Sequence, residues 1–285
     1  MKESKITVDG LTIRTLEEGS GPPVLLMHGG TIGFSAEMWR RNMAPLAKAG
    51  YRVLCYDQPG FGHSDAPRDF AMRYRQDFML KFLKSVGAER AVLIGHSQAG
   101  GLVIGAALDT PAEFPAVVVL GTGSLLPPAG PQSRDVDPPT GEPTIADTKA
   151  LLESTLYDHS LITPQVLADY HAMSTGKNFA HAVKRAEAAA NAPKGSGKPL
   201  WQRLDEVSIP SLFIYGANDR GDAVGRVKLA RERFPKLAYH LLDRCHHIVQ
   251  WDRAADVEKL LIGFLDGLRA KGALGDGRLA AGAKQ

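Results

Sequence analysis

The chain has 285 residues, 44% hydrophobic and 23% charged, which excludes disordered and fibrous classes and supplies a core that needs no disulfide or metal. Its 34 Lys and Arg against 31 Asp and Glu leave a formal charge of only +3, and no long basic block carries interleaved aromatics, which argues against a nucleic-acid partner. Two cysteines, Cys55 and Cys245, make no disulfide framework; with no signal-like start and no apolar run of about 18 residues, a cytoplasmic protein without a membrane span is expected.

In chain order, Lys5–Val8 and Leu11–Leu16 flank Asp9-Gly10, a favoured two-residue hairpin turn, so an antiparallel edge is predicted first. The apolar runs Val24–Met27, Tyr51–Tyr56, Ala91–Ile94, Ala116–Leu120, Leu212–Tyr215 and Tyr239–Leu242 follow, apolar at nearly every position as strands covered on both faces must be. Between and after them, Met38–Ala49, Phe70–Val86, Gly100–Leu108, Val224–Phe234 and Ala254–Leu268 have helical length and spacing. Strands alternating with helices predict a mostly parallel α/β sheet. Phe70, Tyr74, Phe78 and Phe82, four residues apart, read as the face of one helix that packs on that sheet.

The alternation breaks over 124–207, where a Pro- and Gly-rich stretch, three helical segments (Ile145–Leu156, Pro164–Met173, Asn178–Ala190) and a second turn-rich stretch predict a helical lid inserted between two strands. The core is then 1–123 with 208–271, and 272–285 reads as a disordered tail.

The strongest chemical signal is Gly95-His96-Ser97-Gln98-Ala99, set between a predicted strand and a predicted helix. A serine at a tight strand-to-helix turn needs small neighbours, because the two backbones run close together; Ala99, Gly100 and Gly101 satisfy this. The segment resembles the nucleophile elbow of α/β hydrolases, in which an acid and then a histidine follow the serine along the chain. After the strand at 212–215 stand Asp219 and Asp222, of which Asp222 also suits a helix cap; after the strand at 239–242 stand His246 and His247. A serine requires such a base to attack at neutral pH.

Arg244-Cys245-His246-His247-Ile248-Val249-Gln250-Trp251-Asp252 is similar to the C-terminal block of meta-cleavage-product hydrolases, members of the α/β hydrolases that cleave a carbon–carbon bond. The match continues in His28-Gly29-Gly30, in Trp39 and in Asp57-Gln58-Pro59-Gly60-Phe61-Gly62-His63-Ser64-Asp65. The resemblance implies an eight-stranded α/β-hydrolase fold and a Ser97–His247–Asp219 triad. It also implies an oxyanion hole from the Gly30 and Gln98 N–H groups, and Gly29, Trp39 and Ile248 facing the substrate. His28, His63 and Asp65 are expected to order loops.

Neither a cofactor nor a metal is expected, since no histidine or cysteine pair has ligand spacing. The expected partner is a small-molecule substrate, with a homodimer as the assembly. The chain departs from the resemblance at His96, Gln98 and Ile248, and in the lid, where Tyr170 or His171 stands in place of an arginine that grips a substrate carboxylate. Arg185 and Lys184 replace it only if the lid is rearranged. A neutral substrate, a diketone, dienol or ester, is therefore predicted, with a carboxylesterase or a hydrolase-fold ligand receptor as the other functional readings.

Overall fold

The computed structural model describes residues 1–128, 140–192 and 197–275. The chain opens with β1 (Lys2–Val8) and β2 (Leu11–Glu18), paired antiparallel in a hairpin whose turn residues Asp9 and Gly10 have φ of 51° and 77°. Positive φ at both positions lets the turn follow the strand twist, as the Asp-Gly pair predicts.

There follow β3 (Pro23–Met27), α1 (Arg40–Lys48), β4 (Arg52–Tyr56), α2 (Met72–Ser85), β5 (Val92–His96), α3 (Gln98–Asp109) and β6 (Val117–Leu120). An insertion then carries α4 (Ile145–Thr155), α5 (Pro164–Ala172) and α6 (Lys177–Ala190). The chain returns to the sheet through β7 (Ser211–Gly216), α7 (Ala223–Arg233), β8 (Ala238–Leu242), the one-turn α8 (Val249–Asp252) and α9 (Ala254–Ala270). Every predicted strand is present. The predicted 129–139 part of the Pro-rich stretch, 193–196 of the second turn-rich stretch and 276–285 of the tail lie outside the described residues.

The strands form one sheet in the order β1-β2-β4-β3-β5-β6-β7-β8, parallel from β4 to β8 with β1 and β2 as the antiparallel edge. Alternate side chains feed two cores. On one face Leu25, Met27, Leu93 and Phe213 pack against Phe78 and Phe82 of α2, Leu102 and Val103 of α3 and Val227 of α7. On the other, Val24, Leu26, Ile94 and Ile214 pack against Met43 and Leu46 of α1 and Leu261 and Leu265 of α9. Burial on both faces explains why these strands are apolar at consecutive positions. Of the aromatic stripe, Phe78 and Phe82 are core, with Phe82 stacked on Tyr56 at 4.1 Å, while Phe70 precedes the helix and lies against the insertion.

From β3 the chain moves outward to β4 and then crosses back to β5 on the other side of β3. The chain thus leaves β3 and β5 in opposite directions along the sheet, and in sheets of this class the ligand crevice lies at the C-terminal ends of two such strands. The insertion packs over this end of the sheet. Leu152, Leu156 and Tyr170 join the second core, and Arg185 Nη1 donates to the Gly60 carbonyl at 2.8 Å. No described helix is long and apolar enough to cross a membrane.

Candidate active site

Ser97 occupies a sharp corner between β5 and α3, with φ 55° and ψ −125°, a conformation that costs an L-residue of order 1–3 kcal/mol. Its neighbours hold it there. The Ser97 N–H donates to the Leu120 carbonyl (2.8 Å), and the Ser97 carbonyl accepts from Thr122 Oγ1 (2.7 Å) and the Gly100 N–H (3.0 Å). A Cβ on Gly95 would collide with the Ala99 carbonyl, and one on Gly100 with Thr122. Those two positions carry the steric requirement of the elbow, so the methyl of Ala99 is accommodated in the core.

The other two members arrive from β7 and β8. His247 Nε2 lies 2.9 Å from Ser97 Oγ, and His247 Nδ1 lies 3.0 Å from Asp219 Oδ2. Asp219 is largely buried, which by itself raises its carboxyl; the bond and charge of His247, with the Arg220 N–H at 2.7 Å, outweigh burial and hold it below the ordinary carboxylate range. It is therefore ionised at neutral pH, and a carboxylate on Nδ1 leaves the lone pair of Nε2 facing the serine. Asp222 sits at φ 53° and caps α7 through the Gly225 N–H (3.1 Å). His246 turns toward the Ser154 carbonyl and Tyr157, away from Ser97. The alternatives at both positions are thus structural.

Two glycines admit the histidine loop. A Cβ on Gly216 would strike the carbonyls of Cys245 and His246, and one on Gly121, at φ +56°, would come 2.8 Å from the His247 carbonyl. His96 also grips this loop, its Nε2 bonding the His247 carbonyl at 2.9 Å.

The loop after β3 faces the nucleophile: a Cβ on Gly29 would lie 2.8 Å from Ser97 Cβ. His28 sets its geometry. The ring Nε2 accepts the Gln58 N–H (3.0 Å), which makes Nδ1 the protonated nitrogen, and Nδ1–H donates to the Gly29 carbonyl (2.8 Å). The Gly29 carbonyl and the Gly30 N–H belong to one trans peptide, so fixing the first directs the second the opposite way. Neither the Gly30 nor the Gln98 N–H has a backbone acceptor among the described residues. Burial pushes the His28 imidazole down to about 3, so the neutral ring that this bonding requires is the one present.

The alpha/beta hydrolase fold family matches residues 22–254. The chain belongs to that family. Among curated proteins, the hydrolase is 28% identical over 261 residues to the 2-hydroxy-6-oxo-6-phenylhexa-2,4-dienoate hydrolase of Burkholderia cepacia, covering 87% of this chain and 89% of that one. It is 29% identical over 273 residues to the 2-hydroxy-6-oxononadienedioate/2-hydroxy-6-oxononatrienedioate hydrolase of Paraburkholderia phymatum, covering 90% and 91%. Among solved structures it resembles a meta-cleavage product hydrolase from Pseudomonas fluorescens IP01, with TM-score 0.78, 22% identity and 93% and 97% of the two chains covered.

Not every residue expected to face substrate does so in this hydrolase. Trp39 and Ile248 are fully buried in the second core and present no surface to the crevice. Trp39 lies in the turn that leads into α1, and Ile248 is the N-cap residue of α8, its N–H on the Thr155 carbonyl (3.1 Å). Tyr170 packs edge-on against Phe34 at 6.0 Å, and His171 bonds Thr148 at 2.9 Å. His63 is exposed, its N–H on Asp57, and Asp65 caps the Thr12 N–H, so both are structural. Lys184 is exposed, whereas Arg185 bonds the Gly60 carbonyl, so the insertion does bring a cation to this end of the sheet.

Some residues around the site were not singled out by sequence reasoning. Gln58 bonds His28, and Arg75 bonds both Gln58 and Gln98. Asp252 receives the N–H groups of His246, Tyr157 and Asp158. No local motif marks Arg75, which the helical pattern hides among surface charges. Among the described residues no group of three or more His, Cys, Asp or Glu side chains is placed to hold a metal ion.

Proposed function

We propose that this hydrolase cleaves a carbon–carbon bond of a ring-fission-type dienol or diketone. The observation that carries the reading is the aligned Ser97–His247–Asp219 relay in a chain whose curated relatives, matched over nearly their whole length, are hydrolases of such compounds.

In this mechanism His247 Nε2 takes the Ser97 hydroxyl proton as Oγ attacks the ketone carbon. Negative charge develops on the carbonyl oxygen, where the Gly30 and Gln98 N–H groups receive it; one such donor is worth about 3–4 kcal/mol in comparable sites. Collapse breaks the carbon–carbon bond. The electron pair leaves on a carbon conjugated to a second carbonyl, which is why an isolated ketone is not a substrate, and His247 returns its proton to that carbon. Water, deprotonated by the same histidine, then releases the acyl group from Ser97 as a carboxylate. The helical insertion serves as the lid over this crevice, and core and lid are read as 1–123 with 208–271 and as 124–207.

The departures at His96, Gln98, Ile248 and Tyr170 favour a second reading, a carboxylesterase that uses the same relay by ordinary acyl transfer. Mass spectrometry of products from ring-fission dienoates, 1,3-diketones and aryl esters in ¹⁸O-water separates the two. Carbon–carbon cleavage gives a ketone fragment and a carboxylate carrying one ¹⁸O. Turnover of esters alone would leave the esterase, and saturable binding without multiple turnovers would leave a ligand receptor.

A further inference from the structure

Beside the site Arg75 is buried and Arg185 half-buried, and neither has a carboxylate partner among the described residues. Arg75, on α2, is 3% exposed; Nε and Nη2 donate to Gln58 Oε1 (3.1 and 2.8 Å) and Nη1 to Gln98 Oε1 (3.0 Å). Arg185, on α6, donates to the Gly60 carbonyl and stacks 3.6 Å from the centroid of the Phe61 ring, against which Arg75 also lies, at 5.4 Å. All these acceptors are neutral oxygens.

Burial without an anion is costly for a guanidinium, and two like charges against one ring add repulsion. Burial pulls Arg75 down to about 10, and burial together with the Arg75 charge pulls Arg185 down to about 9; both remain charged at neutral pH. Among the described residues the other two buried arginines have acids paired with them or within electrostatic reach. Arg14, 4% exposed, is paired with Glu3, Glu37 and Asp57, and Arg226 caps three carbonyls with Asp219 and Asp222 nearby. Arg75 and Arg185 have no such acid, and Arg75 holds the side chain of Gln98, the residue after the nucleophile. The Gln98 side chain that Arg75 holds lies across Gly30, where a Cβ would run into its carboxamide, and Gln98 is exposed to the crevice. His181 Nδ1, on the same helix as Arg185, is buried with no hydrogen-bond partner.

We propose that Arg75 and Arg185 form an anion subsite that seats a carboxylate of the substrate on the β4-loop side of Ser97. Tyr170, where the resemblance would set its arginine, packs against Phe34 and Gly33 instead. A carboxylate between the two guanidinium groups accepts from both and cancels their repulsion, and the Gln98 carboxamide, released from Arg75, is free to turn toward substrate. On this proposal the substrate class is acidic, in place of the neutral one expected from sequence. The inference rests on Ser97 being the nucleophile, not on the bond it cleaves.

The test uses the full chain and two ester pairs: 4-nitrophenyl hemiglutarate against 4-nitrophenyl butyrate, with the charge on the acyl side, and 3-acetoxybenzoate against phenyl acetate, with the charge on the leaving side. In one pair the native protein should favour the anionic member at least tenfold in kcat/KM. That ratio should fall about tenfold in Arg185→Ala, partly recover in Arg185→Lys and stay unchanged in Lys184→Ala, whose side chain is exposed on the same helix. Calorimetric binding of glutarate against glutaramide to the native protein and Arg185→Gln reads the same contrast without turnover. No anionic preference in either pair, or a ratio that Arg185→Ala leaves intact, would overturn the subsite. A protein that shows the preference yet leaves ring-fission dienoates uncut would keep the subsite and lose the carbon–carbon reading.

Discussion

Asp252 holds the backbone of His246 through a 2.8 Å bond to its N–H, one residue before the catalytic base. The same carboxylate receives the N–H groups of Tyr157 and Asp158 at 2.9 to 3.1 Å, so one side chain joins the end of α8, the histidine loop and the segment that follows α4. A hydrogen bond to a charged group contributes about 1.5–3 kcal/mol, and Asn can accept from only one of its two terminal atoms. Asp252→Asn should lower kcat roughly tenfold or more, with a smaller change in KM, because it loosens the base and leaves substrate contacts in place. Native-like kcat with only a lower melting temperature would make Asp252 a purely structural tie.

The triad makes a sharper contrast. Ser97→Ala, His247→Ala and Asp219→Asn remove members of one relay and should each lower turnover by several orders of magnitude with little change in fold. Asp222→Asn and His246→Ala touch a helix cap and a loop contact, so activity should stay within a few-fold, and Asp222→Ala should cost about 1 kcal/mol of stability. Steady-state rates and denaturant midpoints on the six variants decide the assignment. Collapse of activity in Asp222→Asn would transfer the acid role to Asp222.

The strands were legible because a two-faced parallel sheet demands runs such as Val117–Leu120, apolar at every position, and the elbow because few sequences place glycine, serine and small residues between a strand and a helix. The order of the strands was not, since nothing in a strand's own residues says that β3 lies between β4 and β5. Ser97 and Asp219 could be located by their distance from a strand end, and Asp222 was separable as a cap. Trp39 and Ile248 were misplaced because a motif position does not reveal whether a side chain faces the crevice or the core. Gly121 and Gly216 escaped notice for a related reason: each matters through a backbone approach made by a loop far along the chain.

Gly121 offers a test of that backbone approach. With φ +56° and a Cβ that would lie 2.8 Å from the His247 carbonyl, Gly121→Ala carries both a left-handed penalty of about 1–2 kcal/mol and a push on the catalytic loop. A shift near 1 Å in a reacting group can cost about a hundredfold in rate. Gly272 has φ +67° and open space around it, so Gly272→Ala carries the first penalty alone. Both variants should be less stable in urea, and only Gly121→Ala should lose most of its kcat/KM. Equal activity in the two would mean that the loop relaxes without moving the imidazole.

The two histidines that order the site also set its acid limit. Burial pushes His28 and His96 down to about 3, from an ordinary value of 6.5. Between those values the unfolded chain binds protons that the folded chain refuses, so stability is fully present above pH 6.5 and is lost as pH falls. The slope approaches about 1.4 kcal/mol per pH unit for each histidine. Asp219, held low by His247, acts in the same direction but only below pH about 4, where free carboxylates protonate. Urea unfolding of the native protein at pH 7.5, 6 and 5 should show a midpoint that falls steadily, before carboxylates contribute. His96→Asn cannot bind the proton in either state, so its curve should lose about half of that slope. A midpoint unchanged from pH 7.5 to 5 would mean that both rings accept protons in the folded chain, which would break the Nδ1–H tautomer of His28 that directs the Gly30 N–H.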